Sequence, residues 1–142
     1  MKRVVLDASV VLKWYLLDEQ YGPQALQLLS QYISEDMDIT APALLEYELM
    51  NGLAIARRRG RIDEETISVA IEGFLNLGIV LVELSEIYQR ITHYCHAYNR
   101  SAYDASYLAV AEKKNLHLIT ADERLFNSVK NDLSWVTWLG DV

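Results

Sequence analysis

Cysteine is almost missing from this chain: Cys95 is the single one in 142 residues. No intrachain disulfide can form, and a reducing compartment is the natural expectation. Glycine and proline are scarce too, at 6 and 2. No linker, repeat or low-complexity segment can be built from so few of them. No apolar run approaches the ~20 residues of a membrane span. The opening "MKRVVLDASVVL" has the outline of a signal peptide, but Asp7 and Lys13 break its apolar run and no small-residue cleavage site follows. A cytoplasmic location with no membrane contact is therefore expected. Positive charge is in deficit, 13 Lys and Arg against 20 Asp and Glu, for a net charge of -7. That excludes a protein that coats nucleic acid generally, whose footprint is basic. It leaves room for an enzyme that meets nucleic acid through a local basic patch and a metal. The basic residues do gather in one place, "ARRRGR", with Arg57, Arg58, Arg59 and Arg61. A Gly-rich phosphate loop and a nucleophilic triad are absent as well.

What is present is apolar residue content of 51%, enough in a chain of this length to bury one core, so a single domain over 1–142 is expected. Short apolar runs alternate with longer helical patterns. The strands expected are Arg3–Leu6, Asp38–Thr40, Val80–Glu83, Leu116–Ile119 and Trp135–Thr137. The helices expected are Val10–Leu17, Gly22–Ser34, Ala43–Arg59, Glu64–Leu77, Ser85–Tyr98, Ala102–Lys114 and Ala121–Val129. Strands separated by helices imply an α/β fold, a parallel sheet with helices on both faces. Two helices follow one another between the second and third strands, which predicts a projecting helical hairpin.

In such sheets ligands bind beyond the carboxyl ends of the strands. Asp7 closes the first strand, at that edge, where a charge avoids the cost of the core. Asp122 follows the fourth strand in "HLITADERL", and Asp104 sits in the first turn of the helix in "SAYDASYLAVA". Glu48 in "APALLEYELMNGL" shares a helical stripe with Leu44, Gly52 and Ile55 at roughly 100° per residue, which turns it inward and Glu46 outward. Each acid has a plain structural reading. Asp7 can cap a helix; "SAYD" and "TADE" resemble capping boxes led by Ser101 and Thr120; and an acid suits a first turn. Glu48 has no capping role. Together, ionised carboxylates about 4 Å apart repel by about 4 kcal/mol at an effective dielectric near 20, so a gathered set needs a counter-charge or protons. Oxygen-only ligands point to Mg²⁺ or Mn²⁺.

"VVLDASVVLKWYL", "APALLEYELMNGL" and "YDASYLAVAEKKNLHLITADERL" resemble, in order and spacing, the motifs of PIN-domain nucleases. The likeness is greatest to the small VapC-type toxins of toxin–antitoxin pairs, and it covers nearly the whole chain. The resemblance implies a three-layer α/β/α sandwich around a parallel sheet of four or five strands, and an endoribonuclease dependent on Mg²⁺ or Mn²⁺. It implies Asp7, Glu48, Asp104 and Asp122 as the catalytic acids, with Asp7, Asp104 and Asp122 as metal ligands. Ser9 and Thr120 fall at supporting polar positions. It further implies an RNA substrate, a cognate antitoxin protein and a homodimer. Arg57, Arg58, Arg59 and Arg61 are then candidate contacts to RNA or antitoxin, set against a plain reading as cations suited to a helix C-terminus.

Two other readings compete. A PIN-like module could bind RNA or protein without cutting. A phosphatase could use Asp7 as nucleophile, although such enzymes usually carry a second acid where Ser9 stands. Trp14, Tyr15, Trp135 and Trp138 are expected to serve packing rather than base stacking, and His117 is expected to pack as well. His93, Cys95 and His96 lack a fourth ligand for zinc.

Overall fold

The computed structural model describes residues 1–142. Its centre is a five-stranded parallel sheet. In chain order the strands are β1 (Lys2–Leu6), β2 (Met37–Pro42), β3 (Val80–Val82), β4 (His117–Thr120) and β5 (Val136–Trp138). The helices are α1 (Ala8–Val11), α2 (Gly22–Ile33), α3 (Leu45–Arg58), α4 (Glu64–Asn76), α5 (Leu84–Tyr98), α6 (Ala102–Lys114) and α7 (Glu123–Val129). This is the α/β sandwich expected from the sequence.

The strand order is β3-β2-β1-β4-β5. The chain therefore builds outward from β1 in one direction, then crosses back and builds outward from β4 in the other. The connection reverses between β1 and β4, and a parallel sheet opens a crevice at the carboxyl edge of such a switch. β1 is central, and its Val4, Val5 and Leu6 are buried. A strand covered on both faces needs a continuous apolar run rather than an alternating one. The α6 helix follows the same logic, since every residue from Ala105 to Ala111 is buried between the sheet and α5. Its alanines and Ser106 let it approach closely. The helices end where asparagine accepts a left-handed conformation, at Asn99 (φ 52°) and Asn115 (φ 56°).

Three local expectations need correction. The first helix starts earlier and ends sooner than Val10–Leu17. The Asp7 carbonyl accepts from both Val10 and Val11 N–H, so α1 begins at Ala8, and one 3-10 turn (Leu12–Trp14) closes it. The Trp14 indole then donates to the Ala25 carbonyl at 2.8 Å and ties this turn to α2. The third helix begins at Leu45 rather than Ala43, and Pro42 lies outside it. Pro42 is the last residue of β2, paired in register with Val82. His117 is exposed rather than packed.

Helices α3 and α4 run consecutively between β2 and β3 and pack on each other, as the helical hairpin predicted. Arg61 at their junction donates to Asp18 at 2.6 Å and approaches Glu19 at 3.3 Å. Glu19 also receives the Lys13 ammonium at 3.3 Å. The hairpin tip is thus tied to the loop that follows the first helical turn.

Candidate active site

Asp7 leaves β1 at the switch crevice and is only 4% exposed. It stands at the N-cap position of α1, yet its side chain caps nothing. Ser9 donates to its Oδ1 and Thr120 to its Oδ2 instead. Both hydroxyls also accept: Ser9 Oγ from the Ala121 N–H at 2.9 Å and Thr120 Oγ1 from the Asp122 N–H at 3.0 Å. The end of β1 and the end of β4 are thereby laced together by hydroxyl groups. The loss of hydration on burial pushes Asp7 up to about 7, against the pull of these two hydroxyl donors, and the Asp122 carboxylate adds to the rise.

Asp122 itself is the N-cap of α7, and its Oδ1 accepts from the Leu125 N–H at 3.1 Å. Thr120, which the capping-box reading placed in that role, belongs to β4 and serves Asp7. Ser101 does cap α6, accepting from the Asp104 N–H at 3.1 Å. Asp104 is half-buried, and burial and then Asp122 raise its pKa while Arg100, 3.8 Å away, opposes them.

Glu48 lies beside the buried stripe of α3, which is Leu45, Leu49, Leu53 and Ala56 rather than Leu44, Gly52 and Ile55. Its Oε1 accepts from the Tyr107 hydroxyl at 2.5 Å. Burial raises its pKa first, with Asp104 and Asp122 adding to the rise and Tyr107 opposing it. Glu46 is partly buried rather than turned fully outward, and it makes no such bond. Tyr107 joins the site beyond the four acids, Ser9 and Thr120. Its spacing from Asp104, three positions along α6, was the available signal, since such residues share a helix face. The Tyr107 hydroxyl is held far above its ordinary pKa by burial and by Glu48, so it is a donor at every working pH.

One carboxylate field therefore joins four elements. Asp122 acts on Asp7, Glu48 and Asp104 alike. Each acid also has a protein partner, and no three His, Cys, Asp or Glu side chains converge closely enough to hold a metal ion by themselves. The donor chemistry nonetheless suits a hard divalent cation: the donors are all oxygen, they repel one another, and Asp7 is desolvated. The arginines do not join this group. Arg57 approaches Glu64 at 3.8 Å, Arg58 and Arg59 are exposed, and Arg61 is engaged by Asp18 and Glu19.

With this arrangement in view, comparison with known proteins decides the family. The PIN domain family model matches residues 4–131. This chain belongs to the PIN-domain family. Among relatives of this PIN domain, Ribonuclease VapC9 of Mycobacterium tuberculosis is 34% identical over 122 residues, covering 86% of this chain and 87% of that protein. VapC ribonuclease Mb0985 of Mycobacterium bovis has the same identity and coverage. Among solved structures, PAE2754 from Pyrobaculum aerophilum superposes with a TM-score of 0.65 at 23% identity, over 99% of this chain and 85% of that one. A toxin–antitoxin complex from Klebsiella pneumoniae superposes at 0.59 with 20% identity, over 94% and 95%. These two establish the fold of this PIN domain, and the mycobacterial relatives its VapC-type kinship. No helix in it is long and apolar enough to cross a membrane.

Proposed function

We propose that this PIN-domain chain is an endoribonuclease dependent on Mg²⁺ or Mn²⁺, acting as the toxin of a toxin–antitoxin pair. The observation that carries this is the shared field of Asp7, Glu48, Asp104 and Asp122 at the β1/β4 switch crevice. Four mutually repelling acids cost stability unless a cation or protons offset them. The relatives named as ribonucleases support the substrate class.

Asp7, Asp104 and Asp122 would hold the cation, which lowers the pKa of a bound water and neutralises phosphate charge. In the hydrolysis, water oxygen bonds to phosphorus and the P–O3′ bond breaks, leaving 5′-phosphate and 3′-hydroxyl ends. Glu48, drawn toward neutrality by burial and then by Asp104 and Asp122, is suited to receive the proton that the water loses. Tyr107 keeps the Glu48 carboxylate turned to the crevice. Ser9 and Thr120 fix the rotamer of Asp7, so that its remaining lone pairs face the crevice edge. The phosphatase reading loses ground here, because a doubly hydrogen-bonded, buried Asp7 is a poor nucleophile.

An apolar groove of 320 Å³ lies between Leu44, Val82, Leu84, Ile87 and Tyr103. Leu84 and Tyr103 are about two-thirds exposed at its mouth. Exposed apolar surface of this kind supports protein partners, an antitoxin and a second copy of the chain.

The test is Mn²⁺-dependent cleavage of a mixed RNA panel by wild type, Asp7→Asn and Asp104→Asn. Cleavage lost in both variants, and in wild type with EDTA, is expected. Cleavage retained by Asp7→Asn, or tight RNA binding without turnover by the metal-loaded wild type, would sink the proposal and favour a non-cutting module.

A further inference from the structure

A second concavity, of about 400 Å³, adjoins the acidic crevice. Ala121 lines it, and its neighbours in the chain are Thr120, the donor to Asp7, and Asp122. The β4–α7 turn thus runs between this cleft and the acids. The volume falls in the range of small-molecule sites, roughly 300–1,000 Å³.

Its lining has two characters. Tyr21, Phe126 and Trp138 form an aromatic wall. Trp138 meets Tyr21 edge-on at 5.7 Å between ring centroids and Phe126 tilted at 5.5 Å. None of the three stacks face to face with another, and all three are only partly buried. Gly140 makes this packing possible, because a Cβ there would lie 2.7 Å from Trp138 Nε1 and 3.0 Å from Tyr21 Cε1. Tyr21 holds a left-handed backbone conformation, φ 63° and ψ 19°, which is costly for an aromatic residue and concentrates at working sites. Around this wall stand polar groups without partners in the protein. The Trp14 indole is satisfied by Ala25, but the Trp138 indole N–H and the Asn127 amide donate to nothing. Glu123 and Asn127 occupy successive turns on one side of α7. Lys13 brings one ammonium group, already paired with Glu19 at 3.3 Å, its side chain 10% exposed.

Aromatic faces, free amide and indole groups, an acceptor-only carboxylate and a cation suit one ligand class. We propose that this cleft is a base-binding subsite, seating one nucleobase of the RNA strand beside the cleaved phosphate and favouring bases that carry an exocyclic amine. The proposal rests on the RNA-cleaving reading for its substrate. The base lies against the aromatic wall, where stacking tolerates any base. Selection comes from Glu123: adenine, cytosine and guanine each offer it an exocyclic amine donor, whereas uracil has none and its single edge N–H lies between two carbonyl oxygens that repel the carboxylate. The adjoining phosphate shares the Lys13 ammonium with Glu19.

The experiment follows the indole signals of ¹⁵N-labelled protein in EDTA, with Trp138 assigned through Trp138→Phe. The four nucleoside 5′-monophosphates and inorganic phosphate are titrated in turn. Expected are saturable shifts of the Trp138 signal with AMP, CMP and GMP, and roughly tenfold weaker binding of UMP, the loss of one charge-assisted hydrogen bond. Glu123→Gln and Asn127→Ala, both at exposed positions that leave the fold undisturbed, should narrow that gap. In cleavage of RNAs varied at one base, Glu123→Gln should raise KM with kcat little changed.

No shift with any nucleotide overturns the proposal. So do equal shifts with all four that inorganic phosphate reproduces, which would mean a phosphate contact at Lys13 alone. Wild-type cleavage whose KM and base preference survive both substitutions overturns the subsite and leaves the nuclease reading standing. Base-selective shifts in a protein that cleaves no RNA sustain the subsite and overturn the nuclease reading.

Discussion

The Thr120 hydroxyl donates to Asp7 Oδ2 at 2.5 Å while accepting the Asp122 N–H at 3.0 Å. One fully buried oxygen thus orients two of the four acids. Thr120→Val keeps the shape and removes both bonds. It should leave Asp7 with a still higher pKa, because the lost donor was one of the forces holding it down. Stability should fall by about 1–3 kcal/mol in urea unfolding, the cost of stranding buried polar groups. Cleavage should fall more steeply below neutral pH than above it, with the acid limb of the pH–rate profile displaced upward.

Tyr107→Phe isolates the partner of Glu48. The hydroxyl lowers the Glu48 pKa, so its loss should raise that pKa further and again move the acid limb upward. The phenyl ring still fills the buried site, so unfolding should change by only about 1–2 kcal/mol. A lowered kcat with an unchanged KM is the kinetic expectation. An unmoved pH profile would show that Tyr107 serves packing alone.

Asp7→Asn should stabilise the metal-free protein above neutral pH. Burial raises the folded-state pKa of Asp7 from an ordinary 3.8 to about 7. Between those values the folded protein holds a proton that the unfolded chain releases. The contribution of Asp7 to stability is therefore full below the lower value and is lost as pH rises through the upper one. Asparagine has no charge to lose. Urea titrations at about pH 5 and about pH 8 should show the variant gaining most at the higher pH, by roughly a few kcal/mol. Mg²⁺ should narrow the difference by stabilising only the wild type.

Arg61→Ala tests the tie at the hairpin tip. Arg61 reaches both Asp18 and Glu19, and Glu19 also holds Lys13. Amide exchange across residues 15–21 should accelerate, with little change in α3. In wild type, added salt should speed the same amides, since exposed ion pairs are screened.

The parallel sheet and its helices were legible because hydrophobic period and strand spacing reflect burial directly. The four acids were legible through their order and through the rule that sites form at strand ends. What escaped the sequence were properties of long-range contact. Thr120 reads locally as a helix cap, and only the pairing of β4 with β1 makes it a partner of Asp7. Glu48 borders a buried stripe that runs one position along from the expected one, through Leu45, Leu49, Leu53 and Ala56, and only the packing of α3 on its neighbours settles which stripe that is. Trp14 is the packing residue expected, whereas Trp138 is half-open beside a cleft that no local pattern announces. Its neighbours Tyr21 and Phe126 come from two distant segments.

The bond between Asp7 and Thr120 spans 113 residues. During synthesis β1 leaves the ribosome before β2 and β3, while β4, its neighbour in the sheet, emerges only after both. A nascent chain can lay β2 and β3 beside β1, but it cannot close the crevice or orient Asp7 until β4 slots in. Such non-local pairing is also the slow kind in folding. The acidic edge is therefore assembled last, and a truncated or still-growing chain lacks a formed one.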